Sequence, residues 1–496
     1  MDKKLIEPER RDFILAAWMV LCGFFFLEGR IMGEYSALGR AVFILLICAA
    51  TEAYYKSQGI RQGKESTVAL ISIIMLGATF VIFAGRTEHI ITFAAVIPMY
   101  LYWVARTSGE AIDSRLSIYA LGDVLKQGFI TPFINFGSCP TVLVKSSRDK
   151  GGKNALMILV GIIIALPLVI CATYYLVQAD KTFSDIIENI LGLLSWNWLR
   201  YIAEIILGIP VAFYIFGLIY GNAKGNKEDS LNKKVLYKAA RSMAKVPPVI
   251  GSTVLICMNV IYIAFLAVQL RHVVMGLPKD MTYAEFARQG FFDLCKVAVL
   301  NFAVVVATSI LQKRKEKGTK FSKLQIAIMS VLTIGISGTA LTKMFMYISV
   351  YGLTQKRIYT STFMIFLIIV FAAIAIHQFI RINIGKVICI TGLILLIAFN
   401  YAGVDRTIAK YNISRYEAGT LKMMDMEMMG SLDEGALPEI YKLWKKEKNL
   451  NMAELLRRIP TSYAWSSWSI ERQRAIEVRD DFYRNYYGTE DTQNDV

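Results

Sequence analysis

The composition and charge of this 496-residue chain exclude an ordinary soluble protein. Hydrophobic residues make up 55% of the chain and charged residues only 19%, whereas soluble domains carry about 25% charged residues. The net charge of +16 would suggest nucleic acid binding in a soluble protein, but Lys and Arg fall mainly in alternate loops between apolar stretches. They therefore indicate membrane topology, and we predict no nucleic acid partner.

Eleven apolar stretches are long enough to cross the hydrocarbon core of a membrane, which takes about 20 residues. Four of them form an N-terminal group in residues 1–107, near 13–33, 37–55, 66–85 and 88–106. Seven more lie in residues 154–404, near 154–178, 201–221, 247–270, 288–312, 324–350, 361–380 and 384–403. The sequence therefore predicts an all-α integral membrane bundle of about eleven helices, with a small helical C-terminal tail.

Two connecting segments differ from ordinary loops. Within the basic loop 108–153, the segment 115–144 is too apolar for a solvated linker, and Pro132 and Pro140 break it too often for a span. It is either an interfacial or a re-entrant segment. The segment 181–200 places its apolar residues on one helical face and predicts a helix lying on the outer membrane surface.

Residues 405–488 return to the composition of a soluble protein and predict a helical tail, while 489–496 are predicted to be disordered. Ser431 with Glu434 fits a capping box, Pro438 fits the first turn of a helix, and Ser469 fits the cap of another.

The positions of Lys and Arg predict the orientation of the chain. These residues are concentrated in the N-terminal segment and in every second loop, and cytoplasmic loops are enriched in them. We therefore expect a multi-pass protein of the bacterial cytoplasmic membrane with a cytoplasmic N-terminus. Eleven spans then place the C-terminal tail outside the cytoplasm.

Polar residues within the spans are candidates for function, because charge at bilayer depth is costly unless it is paired or hydrated. Asp293 and Lys296 are spaced to neutralise each other on one helix. Lys343, Tyr347 and Tyr351 recur every four residues and form one polar stripe. The stripe fits either a lysine that extends to the headgroups beside belt tyrosines or the lining of a cavity.

Two polar strings at the outer ends of the later spans extend this set. Thr282 and Glu285 match a capping box, which leaves Arg288 unexplained. The segment 351–359 predicts a helix C-cap at Gly352 followed by a basic turn. On the predicted outer side we therefore expect a polar site drawn from Glu285, Arg288, Lys343, Tyr347, Tyr351, Thr354, Arg357, Tyr359, Asp405 and Asn412.

Motifs of soluble enzymes do not occur in the sequence. The seven cysteines include no C-x-x-C pair, the three histidines are far apart, and no P-loop or G-x-S-x-G string is present. We therefore predict no metal site and no cofactor.

The outer strings resemble those of an uncharacterised family of bacterial membrane proteins grouped as a domain of unknown function. The matching strings are Y-A-E-F-A-R-x-G-F from Tyr283, Y-G-L-T-x-x-R-x-Y from Tyr351, and a third through Ile408, Ala409, Tyr411 and Asn412. Asp293 stands where the family pattern has Glu. The resemblance covers residues 150–440. It implies an extracytoplasmic site shared by these strings, but no activity.

Three functions remain open from the sequence. The first is transport of a small solute or anion past Lys343, Lys296 and Tyr347, since basic lining suits an anion. The second is a membrane-embedded enzyme acting on a lipid-linked or envelope substrate. The third is a sensor or scaffold for a protein partner that the sequence does not identify. The lipid bilayer is the expected partner in each case, and the cytoplasmic basic loops are expected to contact anionic lipid.

Overall fold

The structure is a computed structural model. It describes residues 8–146, 196–225, 231–275, 291–313 and 318–487, apart from 30, 34 and 422, and scattered positions between 158 and 186. Several predictions fall outside the described residues. They concern most of the span at 154–178, the part of the surface helix at 187–195, the string with Glu285 and Arg288, and the end of the tail at 489–496.

The described regular structure is helical, and no strand occurs in it beyond one isolated bridge between Val246 and Gln312. This confirms the predicted all-α fold. The helices are α1 (Arg10–Glu28), α2 (Leu38–Ser57), α3 (Lys64–Ile82), α4 (Arg86–Ser108), α5 (Ala120–Leu125), α6 (Thr131–Ile134), α7 (Ser138–Ser146), α8 (Trp196–Ala223), α9 (Lys233–Met243), α10 (Pro248–Met275), α11 (Phe291–Leu311), α12 (Thr319–Tyr351), α13 (Gln355–His377), α14 (Ile384–Tyr401), α15 (Val404–Glu417), α16 (Met426–Gly430), α17 (Leu437–Glu447), α18 (Leu450–Arg457) and α19 (Ile470–Tyr487).

Among the described residues, eight helices are long and apolar enough to cross a membrane, namely α2, α3, α4, α10, α11, α12, α13 and α14. Helices α1 and α8 coincide with the spans predicted near 13–33 and 201–221. The chain is therefore a multi-pass membrane protein, as predicted. The total of eleven spans stays a prediction, because most of 154–178 is not described.

Helices α1 to α4 and α8 form a first bundle around one apolar core. Helices α1 and α8 pass close to each other at two glycines, because a Cβ atom on Gly208 would lie 2.6 Å from the backbone of Gly23. Small residues permit such close packing of membrane helices. The short helices α5 to α7 pack on this bundle. In the π-helical turn Lys126–Ile130 between α5 and α6, the Gly128 carbonyl accepts a hydrogen bond from the Tyr214 hydroxyl at 2.7 Å.

Helices α10 to α13 form a second bundle, in which α12 packs against each of the other three. Helix α12 has 33 residues and is about 50 Å long at 1.5 Å per residue. The hydrocarbon core is only about 30 Å thick. A polar face along α12 therefore has the length to cross the whole core.

The tail comprises α15 to α19 and has its own apolar core around Trp444 and Phe482, whose rings lie 4.7 Å apart. Pro438 lies in the first turn of α17, which confirms its predicted place. Ser469 precedes α19 and accepts a hydrogen bond from the Arg472 amide at 3.3 Å, as predicted.

The predicted capping box at Ser431 is wrong. Ser431 ends α16, and its hydroxyl donates a hydrogen bond back to the Met428 carbonyl. A serine that bonds the preceding turn is not available to cap a following one.

The tail packs on one end of the first bundle. The Ala37 amide donates a hydrogen bond to the Ser466 carbonyl at 2.8 Å, and the Ala84 amide donates to the Glu471 carboxylate at 2.9 Å. Helix α15 also packs on α13, which follows the turn at 352–354. Three of the loops that the alternation of spans assigns to the side of the tail, at 35–37, 83–85 and 352–354, therefore lie together with it.

Candidate functional site

The turn between α12 and α13 is held by a residue from the tail. Gly352 ends α12 with φ +76° and ψ −174°, a conformation essentially restricted to glycine. The Asn412 side chain accepts a hydrogen bond from the Leu353 amide at 2.8 Å and donates one to the Leu353 carbonyl at 2.9 Å. Helix α15 thereby fixes the turn, and the predicted C-cap at Gly352 is confirmed.

Arg357 closes this turn from the other side. Its guanidinium lies 4.2 Å from the centre of the Tyr347 ring and donates hydrogen bonds to the carbonyls of Tyr351 and Gly352. The Thr354 hydroxyl accepts from the Arg357 amide at 3.4 Å and caps α13. The negative end of the α12 dipole therefore faces a fixed positive charge.

A buried polar stripe runs down α12 from this turn. Its members are Ser322, Gln325, Ser330, Thr333, Ser337 and Lys343, all buried, with the half-buried Tyr347 above them. Because an α-helix turns by about 100° per residue, these positions lie on one side of α12, within an arc of about 140° around its axis. The stripe faces the helices packed on α12, because its members are buried while Val331 and Phe345 elsewhere on α12 are exposed.

Side chains from α10 and α11 meet the stripe halfway along α12. The Tyr262 hydroxyl donates to the Asn301 side chain at 2.6 Å, and the Asn301 amide donates to the Thr333 hydroxyl at 2.9 Å. Nearer the start of α12, the Asn259 amide donates to the Gln325 side chain at 3.0 Å. Polar side chains of three helices thus converge in the interior of the second bundle.

Three buried polar atoms on this route lack a hydrogen-bond partner among the described residues. They are Gln312 Nε2, Asn259 Oδ1 and Ser337 Oγ. A buried polar group without a partner costs about 1–3 kcal/mol, and ordered water commonly supplies the missing bond. The three atoms therefore indicate where water or a small polar solute would be stabilised.

A second polar centre lies where the tail meets the first bundle. One carboxylate oxygen from each of Glu88, Asp405 and Asp433 lies within 4.8 Å of the other two, and all three residues are buried. Glu88 is in the first turn of α4, Asp405 is in the first turn of α15, and Asp433 precedes the 3-10 turn Glu434–Ala436. Carboxylates at helix N-termini are favoured by the helix dipole.

The three carboxylates differ in the charge of their hydrogen-bond donors. Tyr359 donates to Glu88 at 2.7 Å, and Gln355 donates to Asp405 at 2.6 Å. Arg86 donates to Asp433 from both its side chain and its backbone amide, each at 2.8 Å. Arg86 is therefore matched to Asp433, while neutral groups bond Glu88 and Asp405.

The electrostatics of this cluster favour an additional positive charge. Burial, and then the neighbouring Glu88, raise the pKa of Asp405 to about 8. Glu88 Oε2 is buried and has no hydrogen-bond partner in the described part of the chain. One acceptor oxygen of the cluster therefore has no partner among the described residues, and either a proton or a cation would supply the missing positive charge.

The structure places the residues predicted for the outer site in two neighbouring groups. Tyr347, Tyr351, Thr354, Arg357 and Asn412 meet at the turn after α12, with Lys343 one turn below Tyr347 on the stripe. Tyr359 and Asp405 instead belong to the carboxylate cluster.

The remaining predicted residues lie elsewhere or outside the described residues. Asp293 and Lys296 form an exposed ion pair at 3.0 Å, which confirms their predicted neutralisation. The exposed Lys296 therefore lies outside the buried stripe, unlike in the transport route expected from the sequence. Glu285 and Arg288 fall outside the described residues. Sequence reasoning missed Glu88 and Asp433, and an acidic residue in a first turn was the only signal at Glu88.

A cavity of about 230 Å³ opens beside the carboxylate cluster. Bundle residues Tyr35 and Arg86 line it together with tail residues Asp433, Glu434, Arg458 and Tyr463. The cavity is therefore formed only while the tail is docked.

The family model described as "Domain of unknown function (DUF4153)" matches residues 70–443 of the chain. The matched region includes the α12 stripe, the turn at Gly352 and all three clustered carboxylates. No curated protein and no solved structure matches the chain.

Proposed function

Because this chain belongs to the family described as a domain of unknown function (DUF4153), which carries no stated activity, we propose a function from its geometry: it moves a small anion across the membrane along the buried polar stripe of α12. The observation that carries the proposal is the stripe itself, together with the buried polar atoms of Ser337, Asn259 and Gln312 on and beside it that lack partners among the described residues. Structural hydrogen bonds between membrane helices satisfy both partners, whereas these atoms favour a hydrated route.

The length of the stripe supports a route that crosses the membrane. Ser322 and Lys343 are separated by about 31 Å along α12 at 1.5 Å per residue, close to the 30 Å of the hydrocarbon core. The Tyr262, Asn301 and Thr333 contacts lie near the middle of their three helices.

The chemistry of the route supports an anion as the solute. Helices α10, α12 and α13 contain no Asp or Glu, and the single acid of α11, Asp293, is exposed and paired. The stripe instead carries neutral hydroxyl and amide groups, including the Ser337 hydroxyl that lacks a partner among the described residues, with Lys343 and Arg357 at one end. Basic groups at a pore entrance select anions.

The orientation belongs to the same proposal. We place the chain in the bacterial cytoplasmic membrane with its N-terminus inside, so the tail and the basic end of the stripe face outward. The concentration of Lys and Arg in loops at the opposite end supports this orientation.

Contact with anionic lipid at the inner surface is also proposed. Helix α9 carries Lys233, Lys234, Lys238 and Arg241 on one face, and its residues Val235 and Met243 on the other face are exposed. Basic amphipathic helices of this kind lie at anionic membrane surfaces.

The full chain in liposomes provides the test of transport. Anion-sensitive fluorescence of trapped dye should report uptake of chloride or nitrate above that of empty liposomes. Lys343→Met should reduce this flux about tenfold if the lysine lowers the barrier by about 1.4 kcal/mol. The matched control is Lys296→Met, which removes an exposed lysine of α11 and should leave the flux unchanged.

A hydration measurement separates a solute route from dry packing. Ser337→Cys should react with a membrane-impermeant thiol reagent, measured by mass spectrometry on the peptide that carries it. Val331→Cys, on the exposed face of α12, should not react. Equal flux for wild type and Lys343→Met, or an unreactive Cys at 337, would contradict the proposal.

A sensor is the second candidate function, and the cavity at the junction of tail and bundle favours it. Its lining mixes two tyrosines with acidic and basic groups, as small-ligand sites often do. Binding of a solute there would stabilise the docked tail, so a ligand that raises the melting temperature without being transported would favour this function.

A further inference from the structure

We propose that Glu88, Asp405 and Asp433 bind a hard divalent cation, such as Ca²⁺, Mg²⁺ or Mn²⁺, that joins the tail to the membrane bundle. The proposal does not depend on anion transport, because it rests on a different set of residues and is tested by binding alone. Carboxylate oxygens are the ligands that these cations prefer.

The spacing of the oxygens fits such an ion. Oxygens bound to one Ca²⁺ at 2.3–2.6 Å lie at most about 5 Å apart, on opposite sides of the ion. One oxygen from each of the three carboxylates lies within 4.8 Å of the other two, so the three are close enough to share one ion. An ion there would touch α4 of the bundle and two separate parts of the tail, Asp405 of α15 and Asp433.

The unmatched oxygen of Glu88 points to a ligand independently of the acidic cluster. Glu88 is only 6% exposed, its Oε1 accepts from Tyr359, and its Oε2 has no hydrogen-bond partner among the described residues. An isolated acceptor of a buried carboxylate is costly. A cation held between Glu88 and its two neighbours would offset the charge of this carboxylate.

The described charged groups around the cluster do not balance its negative charge. Arg86 pairs with Asp433, and the described partners of Glu88 and Asp405 are the neutral Tyr359 and Gln355 and the Asp433 amide. Two buried carboxylates therefore lack a cationic partner in the described part of the chain. A divalent ion matches their combined charge, whereas a single shared proton would leave one negative charge.

The bound ion would also stabilise the turn after α12. Gln355 and Tyr359, which bond the cluster, flank Arg357 in the first turns of α13. Cation binding would thus hold α13, α15 and α4 in one arrangement and fix the basic end of the stripe.

The test uses the purified full chain in detergent with Mn²⁺ as the probe. Electron paramagnetic resonance should show one bound Mn²⁺ per chain, displaced by added Ca²⁺ or Mg²⁺. Glu88→Gln, a neutral variant of the same shape, should weaken Mn²⁺ binding at least about tenfold, since even indirect changes at metal sites cost 10–100-fold. Glu439→Gln, at another buried glutamate of the tail, should bind Mn²⁺ like the wild type.

Thermal unfolding distinguishes the ion from a proton. If the ion binds, Ca²⁺ raises the melting temperature of the wild type and of Glu439→Gln but not of Glu88→Gln. If a proton instead neutralises the cluster, added Ca²⁺ leaves the melting temperature unchanged, and Glu88→Gln is as stable as the wild type or more so. That result, or unchanged Mn²⁺ binding in Glu88→Gln, would overturn the proposal.

Discussion

Gly352 shows how one residue determines the geometry of the outer turn. Its φ of +76° with an extended ψ is available to glycine at little cost and to other residues only with strain. The space beside it is also occupied, because a Cβ atom there would collide with the Asn412 side chain. The turn and its tail contact therefore depend on the absence of a side chain.

Replacement of Gly352 by alanine should destabilise the protein. We expect a loss of about 1–3 kcal/mol from backbone strain, with a further loss because the two hydrogen bonds between Asn412 and Leu353 are disturbed. Thermal unfolding of the full chain in detergent measures the change.

The control for this substitution is Gly338→Ala in the middle of the same helix. A Cβ atom at Gly338 meets nothing within 4 Å, and alanine favours a helix over glycine by about 1 kcal/mol. This variant should therefore be as stable as the wild type or more so. If both variants behave alike, the strain assigned to Gly352 is wrong.

The polar site could be predicted only where its residues lie close together in the sequence. Tyr347, Tyr351, Thr354 and Arg357 lie within eleven positions of one another, and a helix period followed by a turn brings them together. Glu88 and Tyr359 are 271 positions apart, and no local pattern predicts their 2.7 Å hydrogen bond. The carboxylate cluster therefore had to be found in the folded structure.

Helices were predictable as elements because lipid imposes their length and composition. A backbone in the hydrocarbon core must satisfy its own hydrogen bonds, so about 20 apolar residues there form a helix. This reasoning locates α10 to α14 directly. It does not predict partners, since the same apolar surface suits lipid and protein, and helix packing depends instead on the fit of individual side chains.

The close crossing of α1 and α8 can be tested by replacing one of its glycines. Gly208→Ala places a methyl group 2.6 Å from the backbone of Gly23, so the two helices must separate. We expect a loss of at least about 1–3 kcal/mol, the usual range for overpacking, measured by thermal unfolding in detergent.

Gly77→Ala in α3 is the matched control. Its added methyl group would meet only Ile44, at an ordinary contact distance of 3.6 Å, so stability should not fall. If Gly208→Ala also unfolds at the wild-type temperature, the close contact between α1 and α8 is not required.

At the scale of the whole molecule, the tail is attached to the bundle through buried polar contacts. Arg472 of α19 is fully buried. Its guanidinium donates to the Tyr35 carbonyl of the bundle at 2.8 Å and to the Ser467 carbonyl, and it lies 3.6 Å from Glu434. Apolar burial alone does not fix the orientation of the tail on the bundle, whereas directional hydrogen bonds from a buried guanidinium do.

Arg472→Gln should therefore release the tail without unfolding the bundle. Breaking a buried ion pair by removing one partner costs about 3–5 kcal/mol, and here that cost falls on the junction. Hydrogen exchange should increase at Ala37 and Ala84, whose amides bond the tail, while α12 stays protected. The exposed Arg474 provides the control, because Arg474→Gln removes the same charge from the same helix at an exposed position. If exchange at Ala37 and Ala84 is the same in both variants, the tail is held by its apolar contacts, and neither the cavity nor the carboxylate cluster depends on Arg472.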